Sequence, residues 1–413
     1  WCIVGVGFLI TTYYAVVMSW CCNYFVFGAT QTWGTAPKDF FFNSFLKISD
    51  PALLPAGWGR FSVPILIGTV VSWGAIIGCL WKGVNSVSKV VYYTVFIPWV
   101  LLVIFVIRGL SLPGASEGLK YYLMLGKDSL PYLWRAKTWL SAFTQVFFSL
   151  SIGFGILFAY GSYIDFKGNI VKSAFIIGIA DSLTAIVGGF AVFAALGYLA
   201  TPEAGGIPIK DWMESSLSIC FVAYPILINK IPLGWLFGPL FFMMLLTLAI
   251  DSAFSLVEAS VAPLRDKFGG RYRKWLFLVS GLSFMLSLPH MFQSGLFWFD
   301  ILDNFANQFG LAIACLMECI IFGYIFGADN MRLWLKGEGE HLGKWWSIMI
   351  RYVSPVILVY LISNELIARI RSPYGGYPRK AEFLAGWMVL ALVIVAGVVL
   401  SLLKGAGEKR GAQ

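Results

Sequence analysis

Apolar runs of membrane-spanning length dominate this sequence: about ten segments, each near the ~20 residues a helix needs to cross a bilayer, alternate with polar connections over 413 residues. They fall at roughly 1–29, 61–81, 88–110, 139–163, 170–199, 235–262, 274–290, 299–327, 345–366 and 383–404. Inside hydrocarbon every backbone N–H and C=O must be satisfied within its own segment, so such runs read as helices. At 59% hydrophobic and 12% charged, the chain carries more apolar surface than a soluble core could hide. The expectation is an all-α integral membrane protein, multi-pass in the cell membrane, with residues 1–404 as one transmembrane domain and 405–413 as a cytoplasmic tail.

Short turns such as Lys82–Lys89 and Asp165–Asn169 alternate with long connections at 31–60, 111–138 and 200–234. One face is therefore lean and the other structured. A plain count of Lys and Arg hardly separates the two. Their density does: the stretch Arg265–Lys274 and the tail with Lys404, Lys409 and Arg410 put the lean face in the cytoplasm by the positive-inside rule. The net charge of +9 suits anionic lipid headgroups. Its charges form no stripe interleaved with exposed aromatics, so nucleic acid is excluded as a partner. Six of the seven cysteines lie in or beside apolar runs and form no disulfide framework; Cys220 alone reads as loop-borne. Trp1 opens directly into an apolar run with no signal-peptide pattern, which reads as a chain cut inside or just before a membrane helix.

Two features inside the apolar runs carry chemistry. The first is Ser149-Leu-Ser-Ile-Gly-Phe-Gly155, two serines and two glycines in seven residues at mid-span. It reads either as an interrupted helix that presents carbonyls and hydroxyls, or as a small-residue notch against a neighbouring helix. The second is a pair of intramembrane acids, Asp181 and Asp251, neither with a Lys or Arg within a turn on its own helix. Charge at membrane depth is costly enough to mark function. With Ser149 and Ser252 the two carboxylates supply the hard oxygen ligands of a small cation; the alternative is pairing across helices or protonation. Glu258 and Glu318 are also embedded and read as structural or functional alike. Asp300 and Asp303 at an outer helix end, and Asp266 at an inner one, sit where ion pairs open and shut. The only histidines, His290 and His341, are far apart, and no nucleophile or metal motif accompanies them, so an enzyme is not expected.

Four strings together resemble the neurotransmitter:sodium symporters, with their LeuT-type inverted-repeat bundle: Gln145-Val-Phe-Phe-Ser-Leu-Ser-Ile-Gly-Phe-Gly155 with Tyr160-Gly-Ser-Tyr163, Phe221-Val-Ala-Tyr-Pro225, Leu246-Thr-Leu-Ala-Ile-Asp-Ser252 and Ile325-Phe-Gly-Ala-Asp329. The resemblance covers essentially the whole chain, from that family's third helix to beyond its twelfth. It implies sodium-coupled symport by alternating access around a midplane site. Carried over, Ser149 and Asp181 match the first sodium site, and the Leu248 carbonyl, Asp251 and Ser252 match the second. Tyr14 matches the tyrosine that binds a substrate carboxylate. Ile10, Phe148, Ser149, Ser151, Phe154, Ala253 and Leu256 match the substrate pocket, with Phe148 and Tyr14 as its lid. Asp303 matches the acidic half of the outer gate, and Asp266 with Tyr163 the inner one.

The family's first two helices have no counterpart here, and with them go the other unwound half-site, its share of both sodium shells and the basic gate partners, so the chain as written is not expected to transport alone. Asp181 stands where many members carry Asn, and Ala185 where an acid or serine can stand; the expectation is that Asp181 supplies the negative charge and chloride is not required. The 31–60 connection has no Cys and no N-x-Ser/Thr, which points to a prokaryotic-type member. The partners implied are sodium, membrane lipid and a neutral, apolar amino acid; a homo-oligomer stays open. The alternatives are a relative that carries another small organic solute such as an osmolyte, and a non-transporting receptor or subunit on the same fold.

Overall fold

A computed structural model describes residues 1–123, 130–163, 169–213, 216–337 and 340–405. Most of the expected tail, 406–413, and the centre of the Asp165–Asn169 turn lie outside the described residues. Every expected spanning segment is helical: α1 (Cys2–Thr30), α2 (Val63–Leu80), α3 (Val84–Leu110), α4 (Ala136–Ser149) followed by α5 (Ile156–Gly161), α6 (Ile170–Leu199), α7 (Gly234–Phe268), α8 (Tyr272–Ser287), α9 (Gly295–Ile325), α10 (Lys344–Gly376) and α11 (Arg379–Leu402). Among the described residues, eight of these are long and apolar enough to cross a membrane. The two that fall short are α8, at 16 residues, and the pair α4–α5, which is broken in the middle.

The bundle is organised around α1. In its most apolar stretch 61% of residues are buried, against 6% in α6, so α1 is central and α6 peripheral. Its main partner is α7. Lipid tails are as apolar as leucine, so helices in a membrane associate through close packing of small residues. Here a Cβ on Gly28 would stand 2.8 Å from the backbone of Gly238 and Pro239, so the two helices touch main chain to main chain. Buried hydroxyls add cross-links: Thr11 and Ser283 hydroxyls share a 3.0 Å hydrogen bond between α1 and α8. The end of α1 beside the 31–60 connection is plugged by rings. Tyr24, fully buried, packs on Trp33, Phe41, Phe221 and Phe242. Trp33 stacks on it while Phe41 and Phe221 meet it edge-on, and ring packing of this kind adds to simple area burial. Asn229 then ties the long outer connections, accepting from the Trp33 indole at 2.8 Å and donating to the Gly34 carbonyl at 2.6 Å.

On the other face, Asp329 joins α9 to α10. Its carboxylate accepts from the Ser347 hydroxyl at 3.0 Å and from Arg332 and Arg351 at 3.0 and 2.8 Å. The Ser347 hydroxyl first, then Arg332, hold its carboxyl below the ordinary range. Glu340 does similar work for α6: its two carboxylate oxygens accept the Ile170 and Val171 N–H groups at 2.5 Å each, capping the helix from across the fold.

Candidate functional site: a cavity at an interrupted helix

The α4–α5 segment settles the Ser149–Gly155 string as a break. Its helical ladder ends with the Leu150 N–H on the Val146 carbonyl and resumes with the Ala159 N–H on the Gly155 carbonyl. Between them Ser151, Gly153 and Gly155 take φ of 55°, 81° and 76°, the left-handed region that glycine enters without penalty. The packing alternative holds in part as well. A Cβ on Gly153 would overlap the Cys315 sulfur of α9, so the break is also a notch.

The break opens onto a cavity of about 410 Å³. Helical spacing explains who faces it. Ile10, Tyr13, Tyr14 and Val17 form the i, i+3, i+4, i+7 stripe of α1, and Gln145, Phe148 and Ser149 the end of α4. Ser151, Phe154 and Ile156 come from the break and the first residue of α5, Ser252 and Leu256 from α7, Phe299 and Asp303 from α9. The cavity thus gathers Ile10, Tyr14, Phe148, Ser149, Ser151, Phe154, Ser252, Leu256 and Asp303 from the expected set. Phe148 stacks edge-on against Phe154 at 5.4 Å. Ala253 does not line it: one residue on from Ser252 is about 100° around the helix, and Ala253 is buried with Ala15 and Met18 instead. Tyr13, Val17, Gln145, Ile156 and Phe299 are additional walls. The α1 stripe would have found Tyr13 and Val17; nothing local in the sequence marks the others.

The two acids occupy separate places. The Ser149 hydroxyl donates to Asp181 at 2.6 Å, bringing the break and α6 together over 32 residues. Asp251 accepts from the Thr94 hydroxyl of α3 at 2.5 Å, a partner on another helix that the sequence could not identify. Leu248 lies one turn earlier in the unbroken α7. Among the described residues no group of three Asp, Glu, His or Cys side chains gathers as a metal cluster. Each acid accepts from one neutral hydroxyl, Asp181 from Ser149 and Asp251 from Thr94, and oxygen donors of this kind suit a hard cation.

Of the residues expected to form gates, Asp303 faces the cavity and accepts from Asn307 at 2.9 Å. Asp300, one turn away, is taken by the hydroxyls of Tyr374 and Tyr377 at 3.0 and 2.8 Å. On the opposite side the Tyr163 hydroxyl donates to Glu258 at 2.7 Å, and Asp266 meets its neighbour Arg265 at 3.4 Å, so the two inner residues do not bond each other. Glu258, fully buried, also accepts from Tyr272 at 2.5 Å.

The sodium:neurotransmitter symporter family matches residues 29–405. An uncharacterised sodium-dependent transporter of Methanocaldococcus jannaschii is 34% identical over 409 residues, which is 98% of this chain and 81% of the relative. The human sodium- and chloride-dependent neutral and basic amino acid transporter B(0+) is 30% identical, and the human sodium- and chloride-dependent taurine transporter 32%. These alignments cover 81% and 83% of the chain but only 53% and 56% of the human proteins. A helix broken at mid-span, a cavity at the break and this likeness along almost its whole length agree: the chain belongs to the sodium:neurotransmitter symporter family, whose members are multi-pass membrane transporters.

Proposed function

We propose that the protein to which this chain belongs is a sodium-coupled symporter of neutral, apolar amino acids, working by alternating access around the cavity at the break. The observation that carries the reading is the Ser149–Asp181 pair: one hydroxyl belongs both to the substrate cavity wall and to the carboxylate place where a cation fits. Substrate and ion then share a residue, which is the simplest physical route to coupling. Apolar walls from Ile10, Val17, Phe148, Phe154, Ile156, Leu256 and Phe299 favour an apolar side chain, while Tyr14 and the break offer donors to a carboxylate. Sodium is cargo here. Ser149 and Asp181 would hold one ion, Asp251 and Ser252 with the Leu248 carbonyl the other. Asp303 is the acidic side of an outer gate, Asp266 and Tyr163 parts of an inner one.

Asp181 also serves as the fixed negative charge, so chloride is not needed. The archaeal relative is named for sodium alone, whereas the human relatives are named for sodium and chloride.

The test is uptake of labelled amino acids by the full-length protein in proteoliposomes with sodium or choline outside. Uptake that needs sodium and is lost in Asp251→Ala supports the reading; a folded protein that takes up no amino acid under a sodium gradient refutes it. Replacing chloride with gluconate should leave uptake unchanged, and a collapse would remove Asp181 from its charge role.

A further inference from the structure

Four membrane-helix ends meet on the lean face. The end of α2, the start of α3, the end of α7 and the start of α8 enclose a second cavity of about 800 Å³ that shares no lining residue with the substrate cavity. Five of its lining residues are basic: Lys82, Arg265, Arg271, Arg273 and Lys274. The one carboxylate in its wall, Glu258, is fully buried and already accepts two tyrosine hydroxyls. The Arg265–Asp266 pair, at 3.4 Å, takes up only part of one of the five charges. The walls therefore hold a surplus of positive charge at the depth where helices end, the level of lipid headgroups. Two helix N-termini add to it, because α3 begins directly after Gly83 and α8 begins at Tyr272, and both residues line the cavity. The α8 start has no side-chain cap. Free N–H groups and the helix dipole there favour an anion. Trp81, half-exposed, stands at the rim with Arg273 stacked over its ring at 4.7 Å, the amphipathic edge that suits a membrane interface.

We infer that this cavity binds the phosphate headgroup of an anionic phospholipid from the leaflet on the lean face. The chemistry asks for a group with one or more negative charges and several acceptor oxygens, tethered at the membrane surface. Tyr163, part of the proposed inner gate, and its partner Glu258 belong to the lining, so a bound phosphate would share the cavity with that gate and lend negative charge to the basic side chains around it. The binding claim stands on the cavity alone and does not depend on the transport reading.

The experiment uses the full-length protein in nanodiscs of phosphatidylcholine doped with brominated phosphatidylglycerol, with brominated phosphatidylcholine as the control lipid. Bromine quenches nearby tryptophans, and the part lost in Trp81→Phe reports this site. Brominated phosphatidylglycerol is expected to quench that part at a lower mole fraction than brominated phosphatidylcholine. Each of Lys82→Gln, Arg271→Gln and Lys274→Gln should raise the half-saturating fraction about fivefold, the usual effect of one basic residue at an anionic surface. High salt should act in the same direction. Arg271→Lys, which keeps the charge, should bind nearly as the parent does and shows that the neutral variants lose binding and not structure. Equal quenching by both lipids, or unchanged half-saturation in all three neutral variants, overturns the proposal. Quenching reversed by millimolar glycerol phosphate assigns the site to a soluble phosphate and overturns the lipid assignment.

Discussion

At the scale of single residues, Ser149 does the most with the least. Its hydroxyl is on the cavity wall and 2.6 Å from the Asp181 carboxylate, so removing it touches substrate and ion together. A hydrogen bond to a charged group contributes about 1.5–3 kcal/mol, and part of that is recovered by water at this half-open place. Ser149→Ala is therefore expected to raise the sodium concentration for half-maximal uptake roughly tenfold and to lower the apparent affinity for substrate as well. Sodium titrations at two substrate concentrations check it; a change in one affinity without the other would separate what the pair is proposed to couple. The candidate site was legible in the sequence as residue types, through acids without local partners and serines at mid-span. What could not be read was pairing across helices. Thr94 is an ordinary threonine in an apolar run, and only the packing of α3 against α7 turns it into the partner of Asp251.

Elements obey the same division. Spans of apolar residues located the helices, because hydrophobic length and backbone satisfaction act locally, while polar helix ends ran past them, by six residues in α7 and ten in α10. The interruption was legible as one of two readings, and the backbone realises both: a break that docks as a notch. That double role makes a prediction. Gly153→Ala places a Cβ at a φ of 81° and into the Cys315 sulfur, so both backbone and packing suffer. The left-handed cost is of order 1 kcal/mol and the overlap costs about 1–3 kcal/mol more. Cys315→Ala clears the overlap and should restore part of the melting temperature lost in Gly153→Ala, with the backbone part remaining. A double-mutant cycle by thermal unfolding in detergent measures both, and full additivity of the two changes would show that the break does not rest on α9. Glu340 illustrates what was invisible: a glutamate in a polar connection gives no sign that it caps a helix starting 170 residues earlier.

For the whole molecule, the bundle's arrangement depends on a few places where helices approach without side chains between them. Gly28→Leu forces apart the α1–α7 crossing at Gly238 and Pro239, and a loss of several degrees in melting temperature together with near-complete loss of uptake is expected. Thermal unfolding and uptake of the full-length variant check this; a variant as stable and active as the parent would mean that the crossing tolerates spacing. Composition gave the membrane and the lengths of the connections its lean face, while the order of packing, with α1 central and α6 outside, came only from tertiary contacts among helices of nearly equal hydrophobicity.

The glycine crossing has a mechanical corollary for the cavity. One side of it, Tyr14 on α1 facing Ser252 and Leu256 on α7, belongs to two helices clamped main chain to main chain at Gly28, Gly238 and Pro239, about four turns along from the cavity. The other side is a severed helix resting on α9. The cavity is a vice with one jaw held by touching backbones and one jaw already broken, and the alternating access proposed above assigns its movement to the broken one.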